Sequence, residues 1–306
     1  MSTITGVIRV DRREIEISRP EKVLFPDDGI TKGDLIEYYG RIALRILPHV
    51  RDRPLTLERY PNGINTKRFF QKEVSSYFPT WIRTITVPKV GGTVTHVLCN
   101  DTATLVYIAN QACVTPHIFL SRADKLTVPD QLVFDLDPQG DDFEPVRSTA
   151  LAFKQLLDDL GLPGFLKTTG SRGLHVVVPL RRRENFDAVR AFGRDLAGII
   201  VSQAPEARTM ENLKANRGDR VFIDTNRNGY AQLVAPAYAV RARRGAPVSV
   251  PLAWSELRKK NLRSNSFTIR TIFDRLESAT DPWADFWRSG VSLVSARRRL
   301  GRITTS

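Results

Sequence analysis

Apolar and polar residues change their spacing several times along the chain, and each change marks an element. VIRVDRREIEIS (7–18) alternates at a period of two and predicts a hairpin of short strands. Thr31 with Asp34 three residues later has the form of a helix cap. LIEYYGRIALRILPHV (35–50) then follows a helical period and predicts a helix that stops near Pro48. Residues 54–119 predict mixed strands and loops, with a turn at Gly91-Gly92. Leu132 to Asp137 predicts a strand, and Asp142 to Leu160 a helix with Pro145 in its first turn and Gly161 past its end.

Two strands follow, Phe165–Thr168 and Leu174–Pro179, joined by a Gly-rich turn. Residues 186–203 predict another helix and Val221–Asp224 a short apolar strand. Beyond Pro236 the chain is irregular and basic, with helical stretches near 254–260, 267–277 and 283–296 and a frayed end at RRRLGRITTS. The pattern is α+β or mixed α/β rather than a regular βαβ alternation. With 306 residues there is material for one large domain or two ordinary ones, and no Ser/Gly linker or repeat divides them.

Composition narrows the class. No apolar run reaches the ~18 residues of a membrane span, and the first residues lack the apolar core of a secretory signal. Cys99 and Cys113 are the only cysteines, too few for a disulfide framework, so a cytoplasmic location is expected. Charge is uneven. The net is +13, but residues 101–160 carry 4 basic and 10 acidic side chains, and all other segments are net positive. A polyanion such as nucleic acid suits the basic segments, and a plain solvated surface is the competing reading. Carboxylates inside a phosphate-attracting protein repel its ligand unless metal ions stand between them.

Three local patterns carry chemistry. In QLVFDLDP (131–138), Asp135 and Asp137 share one strand face, a costly pairing that a hard dication relieves. The bland alternative is a strand end where both face water. In KTTGSRGLHVVVPL (167–180), Gly170 and Gly173 permit a phosphate-binding turn furnished with Thr169, Ser171 and Arg172, and His175 opens the next strand. An ordinary hairpin with one core histidine explains the same letters. In RGDRVFIDTNRNGYAQ (217–232), Asp224 ends a strand beside Arg217 and Arg227, as a third carboxylate for a two-metal site or as one half of an ion pair. Jointly, on a basic chain, the three favour nucleotidyl transfer. Cys99, Cys113 and His117 lack a fourth ligand at zinc-finger spacing. Phe69-Phe70, beside Lys67, Arg68 and Lys72, offers rings for base stacking.

The ordered set resembles the polymerase domain of bacterial ligase D, the end-joining branch of the archaeo-eukaryotic primases, from about Glu16 to about Phe286. The resemblance rests on SRPEKVLFP with ITKGDLIEYY, RPLTLERYPNGI with FFQKE, VFDLDP, TTGSRGLHVVVPL, RVFIDTNRN, APAYAVRARRGAPVSVPLAW and DPWADFW. It implies an α+β primase-polymerase core, two mixed or antiparallel sheets flanked by helices around a central cleft. Residues 1–306 would form one catalytic domain, with 1–15 and 291–306 peripheral.

The resemblance further implies two divalent ions, Mn²⁺ preferred and Mg²⁺ possible in principle, on Asp135, Asp137 and Asp224. It implies a nucleotide pocket of His117, Thr169, Ser171, Arg172, His175 and Arg241. Lys22 and Lys32 would bind a 5′-phosphate, Phe69 and Phe70 would pack on template bases, and Arg217 and Arg227 would contact DNA. The expected activity is extension of 3′-OH ends at gaps and double-strand breaks with NTP or dNTP, ribonucleotides favoured, near the nucleoid. Ku and a separate DNA ligase are the expected partners, because the sequence reads as a stand-alone polymerase unit.

Arg19 where the family often has His, Thr169 for Ser, Gln139 for Gly and the polar Thr225-Asn226 depart from the pattern and bear on nucleotide preference. A primase that starts chains de novo, a non-catalytic DNA-end bridging protein and a DxD glycosyltransferase are the rival readings.

Overall fold

The structure, a computed structural model, describes residues 4–278 and 280–303. The chain forms two compact units, and neither is a continuous stretch. Residues 1–119, 233–249 and 267–274 make one, and residues 120–232, 250–266 and 275–306 the other.

In the first unit the predicted hairpin is present as β1 (Ile4–Val10) and β2 (Arg13–Ser18), paired antiparallel. The short pair β3 (Val23–Phe25) and β4 (Ile30–Thr31) leads into α1 (Lys32–Arg41). The Thr31 hydroxyl accepts the Asp34 N–H, and the Asp34 carboxylate accepts the Thr31 N–H at 2.7 Å, closing the cap in both directions. The helix breaks at Ile42 and resumes as α2 (Ala43–Val50), which carries Pro48 in its last turn and ends at Val50, close to the predicted stop. Proline removes one helical hydrogen bond, and here that loss falls beside solvent-exposed Leu44, where water can replace the partner.

Strand β5 (Pro54–Arg59) is the centre of a five-stranded antiparallel sheet with β6 (Phe69–Gln71), β7 (Thr84–Lys89), β8 (Gly92–Leu98) and β9 (Cys113–Ile118). Strand β9 runs along one edge of β5, and β8 and then β6 share the other. One helix went unpredicted, α3 (Thr102–Asn110), capped by the Asp101 carboxylate on the Thr104 N–H. Every residue from Ala103 to Asn110 is buried, so TATLVYIAN has no polar face and shows no helical period.

The second unit opens with β10 (Ser121–Arg122) and β11 (Lys125–Pro129), then β12 (Gln131–Asp137), α4 (Glu144–Asp159), β13 (Phe165–Thr168) and β14 (Leu174–Pro179). After α5 (Phe186–Ser202) come β15 (Arg208–Thr209), β16 (Val221–Asp224) and β17 (Pro251–Leu252). Six of these strands form a mixed sheet in the order β15-β16-β12-β14-β13-β17, in which only β15–β16 is parallel. Strands β12 and β14 are its two central strands. Helix α5 lies so close that a Cβ on Gly193 would stand 2.8 Å from Leu132 Cδ1.

The last third differs most from expectation. Residues 254–258 form a 3-10 turn, and α6 spans Ile272–Ser278. Of the stretch 283–296, only the last three residues are helical. Trp283 and Phe286 stack face to face at 4.4 Å, and the Trp283 indole N–H donates to the Leu166 carbonyl at 2.9 Å, so the segment is held by aromatic packing on β13. The expected frayed end is instead α7 (Val294–Ile303), tied down by buried Ala296 and Leu300; residues 304–306 of that expectation lie outside the described residues.

Candidate active site

Antiparallel register places four polar residues in one row across the six-stranded sheet. Asp135 on β12 stands opposite Asp224 on β16 and, on its other side, opposite His175 on β14. Lys167 on β13 stands opposite His175. Cross-strand partners share a face, so Asp224, Asp135, His175 and Lys167 form a continuous polar line, with Asp137 two residues further along β12 on that same face. The opposite face of β12 carries Phe134 and Leu136, both fully buried, with the Phe134 ring 4.3 Å from Phe153 of α4. The alternation expected of the DxD segment is therefore the alternation found.

Asp135 and Asp224 are buried, and neighbouring cations answer their charge. His175 Nε2 lies 3.2 Å from Asp135 Oδ1. The Arg227 guanidinium spans two of the acids, its Nε 3.5 Å from Asp135 and 3.2 Å from Asp224. Burial alone would raise Asp135, but the His175 charge and hydrogen bond, helped by Arg227, carry it well below the usual carboxylate range. Asp137 goes the other way: burial and the Asp135 charge push it up to about 6. Burial likewise raises Asp224 against the pull of Arg227. Arg227, expected on DNA, is one of the positive charges that the acids face, beside His175, Lys167 and Arg172.

Among the described residues no three acid, histidine or cysteine side chains converge as a ready-made metal cage. The donor set still suits a hard dication: carboxylates held in register, with two of them driven toward the neutral form by burial and by the Asp135 charge.

The turn from Thr169 to Gly173 borders this row. The Thr169 hydroxyl accepts the N–H groups of Ser171 and Gly173, both at 3.2 Å, and contacts the Ser264 hydroxyl at 3.0 Å. Thr169 therefore shapes the turn from inside, while Ser171 is half-buried and Arg172 exposed. Gly170 has φ +67°, and a Cβ on Gly173 would stand 1.9 Å from the Leu136 carbonyl oxygen. Only glycine lets β14 approach the strand of the DxD so closely. Arg217 stacks on Phe222 at 3.6 Å and donates to the carbonyls of Glu211 and Asn212.

The other expected residues lie in the first unit. His117 on β9 pairs with Glu58 of β5, Nε2 to Oε2 at 2.8 Å, and Arg241 lines a pocket of about 360 Å³ with Glu58, Tyr60, Thr66, Arg68 and Arg243. Against the cost of burial, the His117 hydrogen bond and charge draw Glu58 down to about 2. Phe69 and Phe70 on β6 are 42% and 44% exposed, with Arg59 and Arg68 each 5.1 Å from one ring. Lys22 donates to Asn62 and buried Lys32 to Ser18, and the two backbones are hydrogen-bonded at 2.8 Å. Cys99 and Cys113 are core residues whose thiols burial pushes up.

Sequence reasoning missed Glu58, Lys167 and Asn228, all polar residues in or beside apolar strands whose partners are fixed by register. For Lys167 a signal existed, because a lysine closing the apolar run FLKT needs a partner.

The primase-polymerase domain model of LigD matches residues 31–283. The chain belongs to the LigD primase-polymerase family. LigD polymerase domains are nucleotidyltransferases. The chain is 33% identical over 304 residues to the multifunctional non-homologous end joining protein LigD of Pseudomonas aeruginosa, covering 97% of this chain and 36% of that protein. It is 31% identical over 279 residues to the LigD of Mycolicibacterium smegmatis, covering 90% and 36%. It thus spans little more than a third of these relatives. The polymerase domain of Mycobacterium tuberculosis ligase D, solved in complex with DNA, matches with a TM-score of 0.84 at 28% identity, covering 90% of this chain and 99% of that one. Among the described residues no helix is long and apolar enough to cross a membrane.

Proposed function

We propose that this chain extends 3′-hydroxyl ends at DNA gaps and double-strand breaks by nucleotidyl transfer, as part of end joining. The observation that carries the reading is the row of Asp135 against Asp224, with Asp137 on the same face, inside a chain of the LigD polymerase fold. Asp135, Asp137 and Asp224 would hold divalent cations, Mn²⁺ before Mg²⁺. Bound there, such ions lower the pKa of an attacking hydroxyl and offset charge on the phosphates.

The protein's own groups do the remaining work. His175 and Arg227 fix the orientation of Asp135 before any ion arrives. The 169–173 turn offers Ser171 and Arg172 to the nucleotide phosphates, and Thr169 holds the turn in shape. His117 and Arg241 are further nucleotide-binding residues, Phe69 and Phe70 meet template bases, and Lys22 and Lys32 read the 5′-phosphate of a gap. Ribonucleotides are the favoured substrates, DNA at the nucleoid the working surface, and Ku with a ligase the partners that hold and seal the ends.

The test is extension of a 5′-phosphorylated gapped duplex with ribo- or deoxyribonucleotides in Mn²⁺ or Mg²⁺. Wild type should add nucleotides, and Asp135→Ala and Asp137→Ala should fall to background while still binding the duplex. Extension by either variant at the wild-type rate would remove the carboxylate assignment.

A further inference from the structure

We propose that Glu58 is a positioning residue for His117, fixing the imidazole in the orientation from which it meets the incoming nucleotide. This rests on the placing of His117 in the nucleotide pocket. Glu58 and His117 are diagonal neighbours on adjacent strands: Glu58 stands opposite Thr115, and His117 opposite Thr56. One carboxylate oxygen lies 2.8 Å from His117 Nε2. The other accepts the Tyr60 hydroxyl at 2.8 Å and Arg68 Nη1 at 3.1 Å. A carboxylate held at both oxygens cannot swing, and being an acceptor only, it places a proton on His117 Nε2. The Phe70 ring, 5.7 Å from the imidazole and 5.1 Å from the Arg68 guanidinium, closes the fourth side.

The sign of the charge gives the inference its edge. The pocket wall carries Arg68, Arg241 and Arg243, and Glu58 is the carboxylate among them. As a bare charge Glu58 opposes a polyphosphate, so neutralising it would tighten nucleotide binding. As the holder of His117 it assists the nucleotide, so neutralising it would weaken binding. The two roles predict opposite outcomes for one substitution.

The experiment measures nucleotide KM and kcat in gapped-DNA extension for wild type, Glu58→Gln, His117→Ala and the double variant. Glu58→Gln is nearly isosteric, and its thermal melt checks folding. It should raise the nucleotide KM about tenfold, with kcat moved much less, the size of one hydrogen bond to a charged group. The double variant should be no worse than His117→Ala alone. A KM that falls or stays put in Glu58→Gln, or effects that multiply in the double variant, overturns the proposal. If His117→Ala itself leaves KM unchanged, the nucleotide reading of His117 falls and the proposal with it, a result distinct from an impaired His117→Ala with a neutral Glu58→Gln.

Discussion

Lys32 shows how a single side chain can tie fold to function. It is 5% exposed, and burial first, then the charge of Arg19, lower it from 10.5 to about 8. Between those values the unfolded chain binds more protons than the folded one, so the stability contribution of Lys32 improves as pH rises through that window. Its proposed role on a 5′-phosphate runs oppositely, because only the ammonium attracts phosphate. The preference for a 5′-phosphate over a 5′-hydroxyl end should therefore fade above about pH 8, and binding there should take up protons. Calorimetry in buffers of different ionisation enthalpy reads that uptake, and a preference unchanged up to the ordinary lysine range would remove Lys32 from the phosphate. Gly173 makes a second residue-scale case. Gly173→Ala must push the Leu136 carbonyl aside and should cost ~3 kcal/mol in chemical denaturation, with loss of extension.

At the scale of elements, one buried side chain ties β12 to the 225–228 turn. The Asn228 amide accepts the Val133 N–H at 2.8 Å and donates to the carbonyls of Val133 at 2.7 Å and Thr225 at 3.0 Å. Asn228→Ala leaves buried backbone groups of the DxD strand without partners, and should cost about 3 kcal/mol by urea unfolding and slow extension although it touches no substrate. The same elements show what was legible in the sequence. Strands β13, β14 and β16 are found with the predicted ends, because short apolar runs bounded by Gly, Pro or Asp leave little choice. Helix α3 and the packed 283–289 segment were not legible, the first for lack of a polar face and the second because aromatic stacking, not periodicity, shapes it. Within the candidate site the acids and the turn could be read locally. Asn228 and Glu58 could not, since each gains meaning from a partner far away in sequence, and for Lys167 the sequence signals only that a partner is needed.

For the whole molecule, the net charge of +13 predicts a steep salt dependence of DNA binding. If Z phosphates are contacted, log K should fall against log salt with a slope of about −0.9Z, and Lys22→Ala should reduce that slope by roughly one. Fluorescence anisotropy across a salt series checks both, and a flat plot would argue against phosphate contacts as the source of affinity. The −6 of residues 101–160 belongs largely to the segment that carries the DxD strand, so the mean charge conceals the site while the local charge marks it.

The interleaving of the two units bears on inheritance. The chain leaves the first unit at Leu120, returns at Leu233, and crosses again at Val250, Phe267 and Arg275. No single cut separates the two units, so recombination at one point cannot pass one of them alone between genes as a cassette. The smallest piece that gene fusion can move with both units whole is the ensemble itself, because any internal junction divides at least one of them.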